Sequence, residues 1–386
     1  MIVESEKFDF ILVGGGLQAG LMASAIKHYK PASKILIVEK DQHLFGNHTW
    51  SFHRSDVATE WEWISKIPMS TWPGYAVNFP GNFKRVDIPY CSISSTEFGE
   101  FIVCSQTPGF HVEIKTGVTV HELAADHITT SNGRFDGQTI VDCRGRSTFE
   151  GGIGYQKFFG LEISLRDDWP DSLPTLMEAN IDQSDGFRFL YILPFERRRV
   201  LIEDTCFSEN SQLNVAESQE VIGRYLRQKQ VPHWDVIRKE QGCLPMPFAS
   251  EFRPGLTNEL AGGYAGGWYH AATGFSFPLS AKFADIVASS PPEKAKENIR
   301  ALAIKNRFQG TFSRFLNRLL FHLVPPKKRF EIFRRFYTKL PKQTIERFYA
   351  HAFTKTDACR ILIGAPPSGL TPIKFLKSYK EKTCQF

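Results

Sequence analysis

Three groups of residues in this 386-residue chain have types and spacings that could do chemistry. The first is the glycine turn Gly14-Gly15-Gly16-Leu17-Gln18-Ala19-Gly20, which follows an apolar run over residues 8–13 that ends in Val13. Gly14 and Gly16 fill the first two places of G-x-G-x-x-G/A, and Ala19 fills the third. Glycines there let the backbone approach a pyrophosphate, and the start of the next helix supplies free N–H donors and a positive dipole end. Glu39 lies 23 residues beyond Gly16, at the end of a second apolar strand over residues 34–38. An acid at that spacing accepts hydrogen bonds from ribose hydroxyls. The turn therefore predicts a bound dinucleotide, so that a cofactor carries the difficult chemistry.

A second glycine cluster, residues 262–274, returns some 240 residues later and leads into another helix. Nicotinamide enzymes usually keep their nucleotide contacts within one half of the chain. A flavin instead needs ADP at the first turn and its ribityl chain and ring against a second helix start. The split points to FAD, with Thr273 and Gly274 at the second contact; a plain glycine loop between strands is the alternative.

The third group holds ionisable side chains. Leu201-Ile202-Glu203-Asp204-Thr205 puts two carboxyls on one strand, and alternation sends them to opposite faces. In an apolar, aromatic setting Glu203 would stay protonated and could donate a proton. Residue chemistry alone leaves the plainer role ahead, an acid facing water or paired with Arg197, Arg198 or Arg199. His48 and His53, in Gly46-Asn47-His48-Thr49-Trp50-Ser51-Phe52-His53, could relay protons near the cofactor, or serve the structure. The seven cysteines show no C-x-x-C and no metal spacing, so reduced thiols and no metal site are expected.

Around these residues the sequence predicts an α/β chain of two lobes. A Rossmann-type FAD-binding domain takes residues 1–150 together with 240–290. A mostly antiparallel substrate sheet spans 151–239, with a helix over 214–229 inserted in it, and helices fill 291–386. A hairpin over 75–91 turns at Pro80-Gly81-Asn82, a helix runs from Ser94-Ser95 to Gln106, and a strand ends in Asp142-Cys143-Arg144-Gly145. No signal peptide and no bilayer-spanning stretch is expected, which suggests a cytoplasmic protein.

Charge is unevenly placed. Residues 301–386 carry 18 Lys and Arg against 4 Asp and Glu, while the remainder has a net charge of −8. Phe312, Phe315, Leu316, Leu319 and Leu323 recur at helical spacing, with Arg314 and Arg318 on the other side. Lys327-Lys328-Arg329 and Phe330 to Tyr337, including Arg334 and Arg335, repeat the theme. A basic, aromatic helix suits an anionic membrane surface, and a packed helix with a solvated basic face is the alternative. Nucleic acid is not expected, since no recognition motif accompanies the charge.

The chain resembles the bacterial lycopene β-cyclase family, flavoprotein carotenoid cyclases, over nearly its whole length. Residues 12–17, 46–53, 141–145, 201–205, 273–279 and 314–321 carry the likeness, and the second and fourth of these segments are far more specific than the glycine turn. The resemblance implies that Glu203 is the catalytic acid. It also implies that reduced FAD, with NAD(P)H as its electron donor, supports a reaction without net redox change. Lycopene is protonated at C2 of a ψ end, the C5–C6 double bond attacks the C1 cation, and a proton leaves C6. γ-Carotene and then β-carotene result. The implied partners are lycopene, related acyclic carotenoids and the inner face of the cell membrane. A reductase or hydroxylase acting on a prenyl chain would use the same flavin cradle and is the rival reading.

Overall fold

The computed structural model of the chain describes residues 7–105, 109–145, 152–183, 186–248, 260–364 and 370. The predicted helix end at Gln106, Cys384 and the ends of the first and last predicted domains lie outside them.

Lys7–Val13 is buried along most of its length, as a strand covered on both faces must be. It pairs in parallel with Lys34–Val38 on one side and Gly133–Asp142 on the other. The sheet runs His111–Lys115, Lys34–Val38, Lys7–Val13, Gly133–Asp142, His127–Thr130, Val120–Leu123, and the short strand Leu260–Ala261 also pairs with Gly133–Asp142. Helix Leu17–Tyr29 follows the glycine turn and packs against helix Phe277–Ser289. The second glycine cluster is thereby returned to the first.

A second, seven-stranded sheet runs Trp234–Pro247, Ile153–Leu165, Arg199–Ser208, Phe187–Glu196, Thr175–Glu178, Tyr75–Phe79, Asn82–Val86. This sheet reaches beyond the residues 151–239 expected for it. The hairpin exists, but it belongs to this sheet, and the last strand runs on to Pro247. The reason is an edge: without Tyr75–Phe79 in parallel beside it, Thr175–Glu178 would leave a row of backbone groups unpaired. Helix Val215–Gln228, capped by Asn214 Oδ1 accepting from the Glu217 N–H, covers one face of the sheet through Ile222, Tyr225 and Leu226.

The C-terminal helices include Pro292–Lys305, Arg307–Arg318, Arg329–Lys339, Lys342–Tyr349 and Lys355–Leu362. Part of their charge is used inside the fold. Arg329 is fully buried and donates to the carbonyls of Leu320, Phe321 and Phe207 and to Glu209. Two of those acceptors lie in the π-helical turn Leu319–Leu323, whose carbonyls lack ordinary helical donors. Arg334 donates to the Pro80 carbonyl, and Arg335 donates to those of Arg360 and Ile361. In Arg307–Arg318 the most buried residues are Ser313 and Asn317, whereas Phe315 is exposed. Asn317 donates to the Pro247 and Ala271 carbonyls and so ties this helix to the second sheet and to the second glycine cluster. No described helix is long and apolar enough to cross a membrane.

Candidate active site

One cavity of about 1390 Å³ joins the glycine turn to the second sheet. That volume exceeds the roughly 300–1,000 Å³ of an ordinary ligand pocket, so there is room for more than one bound molecule.

At one end lie Val13, Gly14, Gly15, Gly16, Gln18 and Glu39. Gly14 adopts φ +101°, and a Cβ there would come within 2.9 Å of the Arg144 backbone nitrogen. A Cβ on Gly16 would meet nothing within 4 Å, so the cavity reaches the backbone there. Gly16 also starts helix Leu17–Tyr29 without a side-chain cap, which leaves its first N–H groups available to an anion. Glu39 accepts from the Gly15 N–H at 2.6 Å and from the Asp41 N–H at 2.9 Å, and each oxygen keeps a second lone pair. Ala19 is buried away from the cavity and serves the packing of its helix. Asp142, Cys143, Arg144 and Gly145 line the same end, as the register Val13↔Asp142 requires.

Thr273 and Gly274 line the cavity from the second cluster, just before helix Phe277–Ser289. Gly274 has φ +72°. Gln18 links the two clusters, accepting from the Gly263 N–H at 2.8 Å and donating to the Ser280 carbonyl. The Ser280 hydroxyl is buried, faces the cavity and has no partner among the described residues. Two uncapped helix starts, a carboxylate at ribose distance in sequence and an orphaned hydroxyl fit a dinucleotide whose ends lie at the two clusters.

The other end is built by the second sheet. Glu203, Thr205 and Phe207 alternate toward the cavity, beside Tyr191 and Phe189 of the neighbouring strand. Glu203 is buried, and Thr205 Oγ1 donates to its Oε1 at 2.7 Å. Burial pushes the Glu203 carboxyl well above the usual carboxylate range. The negative charge of Glu240 adds to that rise, and the Thr205 hydrogen bond opposes it. None of the three nearby arginines pairs with it: Arg197 and Arg198 bind Asp168, and Arg199 binds Glu162 and Glu196. The plainer role considered for Glu203 is thus taken by other acids. Asp204 faces the opposite side and pairs with Arg188 at 2.7 Å.

The two histidines separate. His48 lines the cavity, and burial lowers its pKa, with Glu240 opposing and Arg238 assisting. His53 is buried elsewhere, between Asp56 at 3.1 Å and the Tyr75 hydroxyl at 3.2 Å, where it serves the structure. Sequence reasoning missed Glu240, Tyr191 and Tyr90, whose hydroxyls meet at 2.9 Å in the case of the two tyrosines. Gly160, a glycine inside a long strand, was the available signal of a close approach.

A largely parallel sheet with a glycine turn, joined through one cavity to a largely antiparallel sheet, is a fold shared with flavin-dependent enzymes. A flavin-dependent brominase, Bmp2, matches with a TM-score of 0.60 at 13% identity over 98% of this chain and 100% of that one. A probable FAD-dependent monooxygenase of Pseudomonas aeruginosa, pqsL, matches with a TM-score of 0.58 at 12% identity over 86% and 100%. At those identities the likeness shows the fold alone.

The family is narrower than the fold. The model of the family described as lycopene cyclase protein matches residues 9–374. Lycopene beta-cyclase of Pantoea ananas is 33% identical over 93% of this chain and 95% of its own length. That of Paracoccus sp. is 33% identical over 93% and 94%. The chain belongs to the lycopene cyclase family.

Proposed function

We propose that the chain cyclises the ψ ends of lycopene to β-ionone rings by acid catalysis, with reduced FAD bound and NAD(P)H as the source of its electrons. The observation that carries this reading is Glu203: a buried carboxyl on the wall of an aromatic cavity, its pKa raised by burial and by the charge of Glu240. Protonating an alkene requires an acid that is neutral and desolvated. Glu203 gives its proton to C2, the C5–C6 double bond closes onto C1, and the proton lost from C6 restores the balance, so no electrons are exchanged. Tyr191, Phe189 and Phe207 surround the acid, and their ring faces attract the carbocation. Val13, Gly14, Gly15, Gly16 and Glu39 hold the ADP part of the cofactor, and Thr273 and Gly274 its other end. Reduced FAD, when bound, supplies further negative charge beside the cation.

Anaerobic incubation of the reduced protein with lycopene, followed by mass and absorption analysis, tests the reading. A cyclised isomer of equal mass is expected. A change of two hydrogens or one oxygen would instead identify a reductase or hydroxylase, and unchanged lycopene a protein that only binds.

The substrate dissolves only in membranes, so we also assign the chain a peripheral membrane contact. Exposed Ile304, Phe308 and Phe315 beside exposed Lys305 and Arg307 support it. Ser substitution of Phe308 and Phe315 should reduce sedimentation with anionic vesicles, and unchanged sedimentation would remove the assignment.

A further inference from the structure

Glu203 does not stand alone on its sheet. Gly160 is in register with Glu203 on one side and with Glu240 on the other, and Tyr191 continues the row beyond Glu203. Neighbours in register share a face of the sheet. Strands lie about 4.8 Å apart, so residues two strands away are separated by roughly 10 Å at their Cα atoms. Two glutamates can close that distance only if the residue between them has no side chain. Gly160 meets this need. A Cβ there would lie 3.1 Å from Glu240 Cγ and 3.5 Å from Glu203 Cβ. Over it the two glutamate side chains lie on either side of one slot, close enough for the charge of Glu240 to raise the pKa of Glu203.

The outer partner is anchored. Glu240 Oε2 accepts from Arg238 at 2.7 Å and from Thr49 Oγ1 at 2.9 Å. Arg238 also donates to Thr49, Asn47 and Glu162, and Glu162 in turn accepts from Arg199. Glu240 and Glu162 are both buried, while Arg199 reaches the half-exposed edge. These donors fix the Glu240 carboxylate at one place beside Glu203.

We propose that Glu240 is a positioning residue for the cyclisation, keeping the reactive proton on Glu203 through a carboxyl-to-carboxylate hydrogen bond over Gly160. The inference rests on the reaction proposed above. When Glu203 gives up its O–H proton to the substrate C–H bond, two carboxylates face one carbocation. The pair therefore supplies compensating charge as the cation forms and an acceptor when the C6 proton leaves. Other charged or titratable groups around Glu203 are Asp204 on its own strand, Arg238 and Glu162 on the flanking strands, Tyr191, Tyr90 and His48. None of them replaces Glu240, because no other carboxyl shares the Gly160 slot.

The test compares wild type with Glu240→Gln and Gly160→Ala as FAD-loaded proteins. Infrared difference spectra across a pH titration follow the neutral carboxyl band of Glu203, identified by its loss in Glu203→Gln. Removing the neighbouring negative charge should lower the midpoint of that band by about one unit or more. The alkaline limb of kcat should move down by the same amount, with KM for lycopene and flavin content unchanged. Glu240→Asp should recover part of the shift. If Glu240→Gln fails to fold, Gly160→Ala, which pushes the pair apart, must lower the midpoint in the same sense. Midpoints equal to wild type in both variants would overturn the proposal. A wild-type protein that yields no cyclised isomer would overturn the reaction and with it the role of Glu240, whereas the infrared midpoint still reports separately whether the pair exists.

Discussion

Glu203 and Asp204 are adjacent acids on one strand, both buried, and the sheet gives them opposite tasks. Asp204 turns to the face under helix Val215–Gln228, where Arg188 grips it with two nitrogens at 2.7 and 2.8 Å and also pairs with Glu217. Glu203 turns to the cavity, where it meets a threonine hydroxyl, a second glutamate and aromatic rings. One carboxyl is paired with an arginine and structural; the other has no cation beside it, and burial raises its pKa. Burial alone therefore says little about an acid, and the partner on its own face decides.

The sharpest way to break this contrast is Glu203→Gln. An amide of the same size keeps the packing but has no acidic proton for an alkene. Product formation should fall by at least about 10³-fold, near the upper range for loss of a general acid, with Tm and flavin content close to wild type. Activity within tenfold of wild type would mean that another group provides the proton.

The opposite face should respond in stability. Arg188→Met leaves Asp204 buried without its counter-charge, which costs about 3–5 kcal/mol. A clear drop in Tm is expected, with kcat per folded molecule within about twofold of wild type. If cyclisation collapsed while Tm held, the two faces would not be independent.

How much of this was legible depended on the range of the interaction. Period-two alternation was enough to separate Glu203 from Asp204, and helix Val215–Gln228 falls within the predicted 214–229. The glycine turn and Glu39 were readable because their spacing is fixed within one βαβ unit. Glu240 was not, since Arg238-Lys239-Glu240-Gln241 reads as a polar strand and its partner lies 37 residues away. The hairpin Tyr75–Phe79 and Asn82–Val86 was found, but its sheet was set by a distant unpaired edge. Arg329 sat in a basic run with nothing to show that it serves buried carbonyls.

A pH titration divides the acids by sign. Glu203, raised by burial and by Glu240, is competent only while protonated, so cyclisation should fall about tenfold for each unit above its pKa. Its contribution to stability runs the same way, present below the ordinary carboxylate range and lost as pH rises through the raised value. Asp357 is the converse case. Arg347, Thr344 and Thr354 donate to it and hold it far below its usual range, with burial opposing. Its contribution is present above that range and lost as pH falls. Tm should thus decline toward acid through Asp357 and toward alkali through Glu203, while kcat per folded molecule declines toward alkali. A common acid-side loss of both would remove neutral Glu203 from the mechanism.

The smallest effect expected is also the most discriminating about direction. Thr205 Oγ1 donates to Glu203 Oε1, and a hydrogen bond to the charged form lowers the pKa of a carboxyl. Thr205→Val keeps the branched shape and removes the donor. A net bond of about 0.5–1.5 kcal/mol corresponds to between roughly one third of a unit and one unit. The alkaline limb of kcat should therefore move up by about half a unit, changing the rate at a fixed pH on that limb about threefold. Glu240→Gln moves the same limb down. Two neighbours of one carboxyl would then shift its proton in opposite senses, as a donor and a like charge must. A downward shift in Thr205→Val would mean that the hydroxyl accepts from Glu203 rather than donating to it, and the direction of the proton in the pair would have to be reversed.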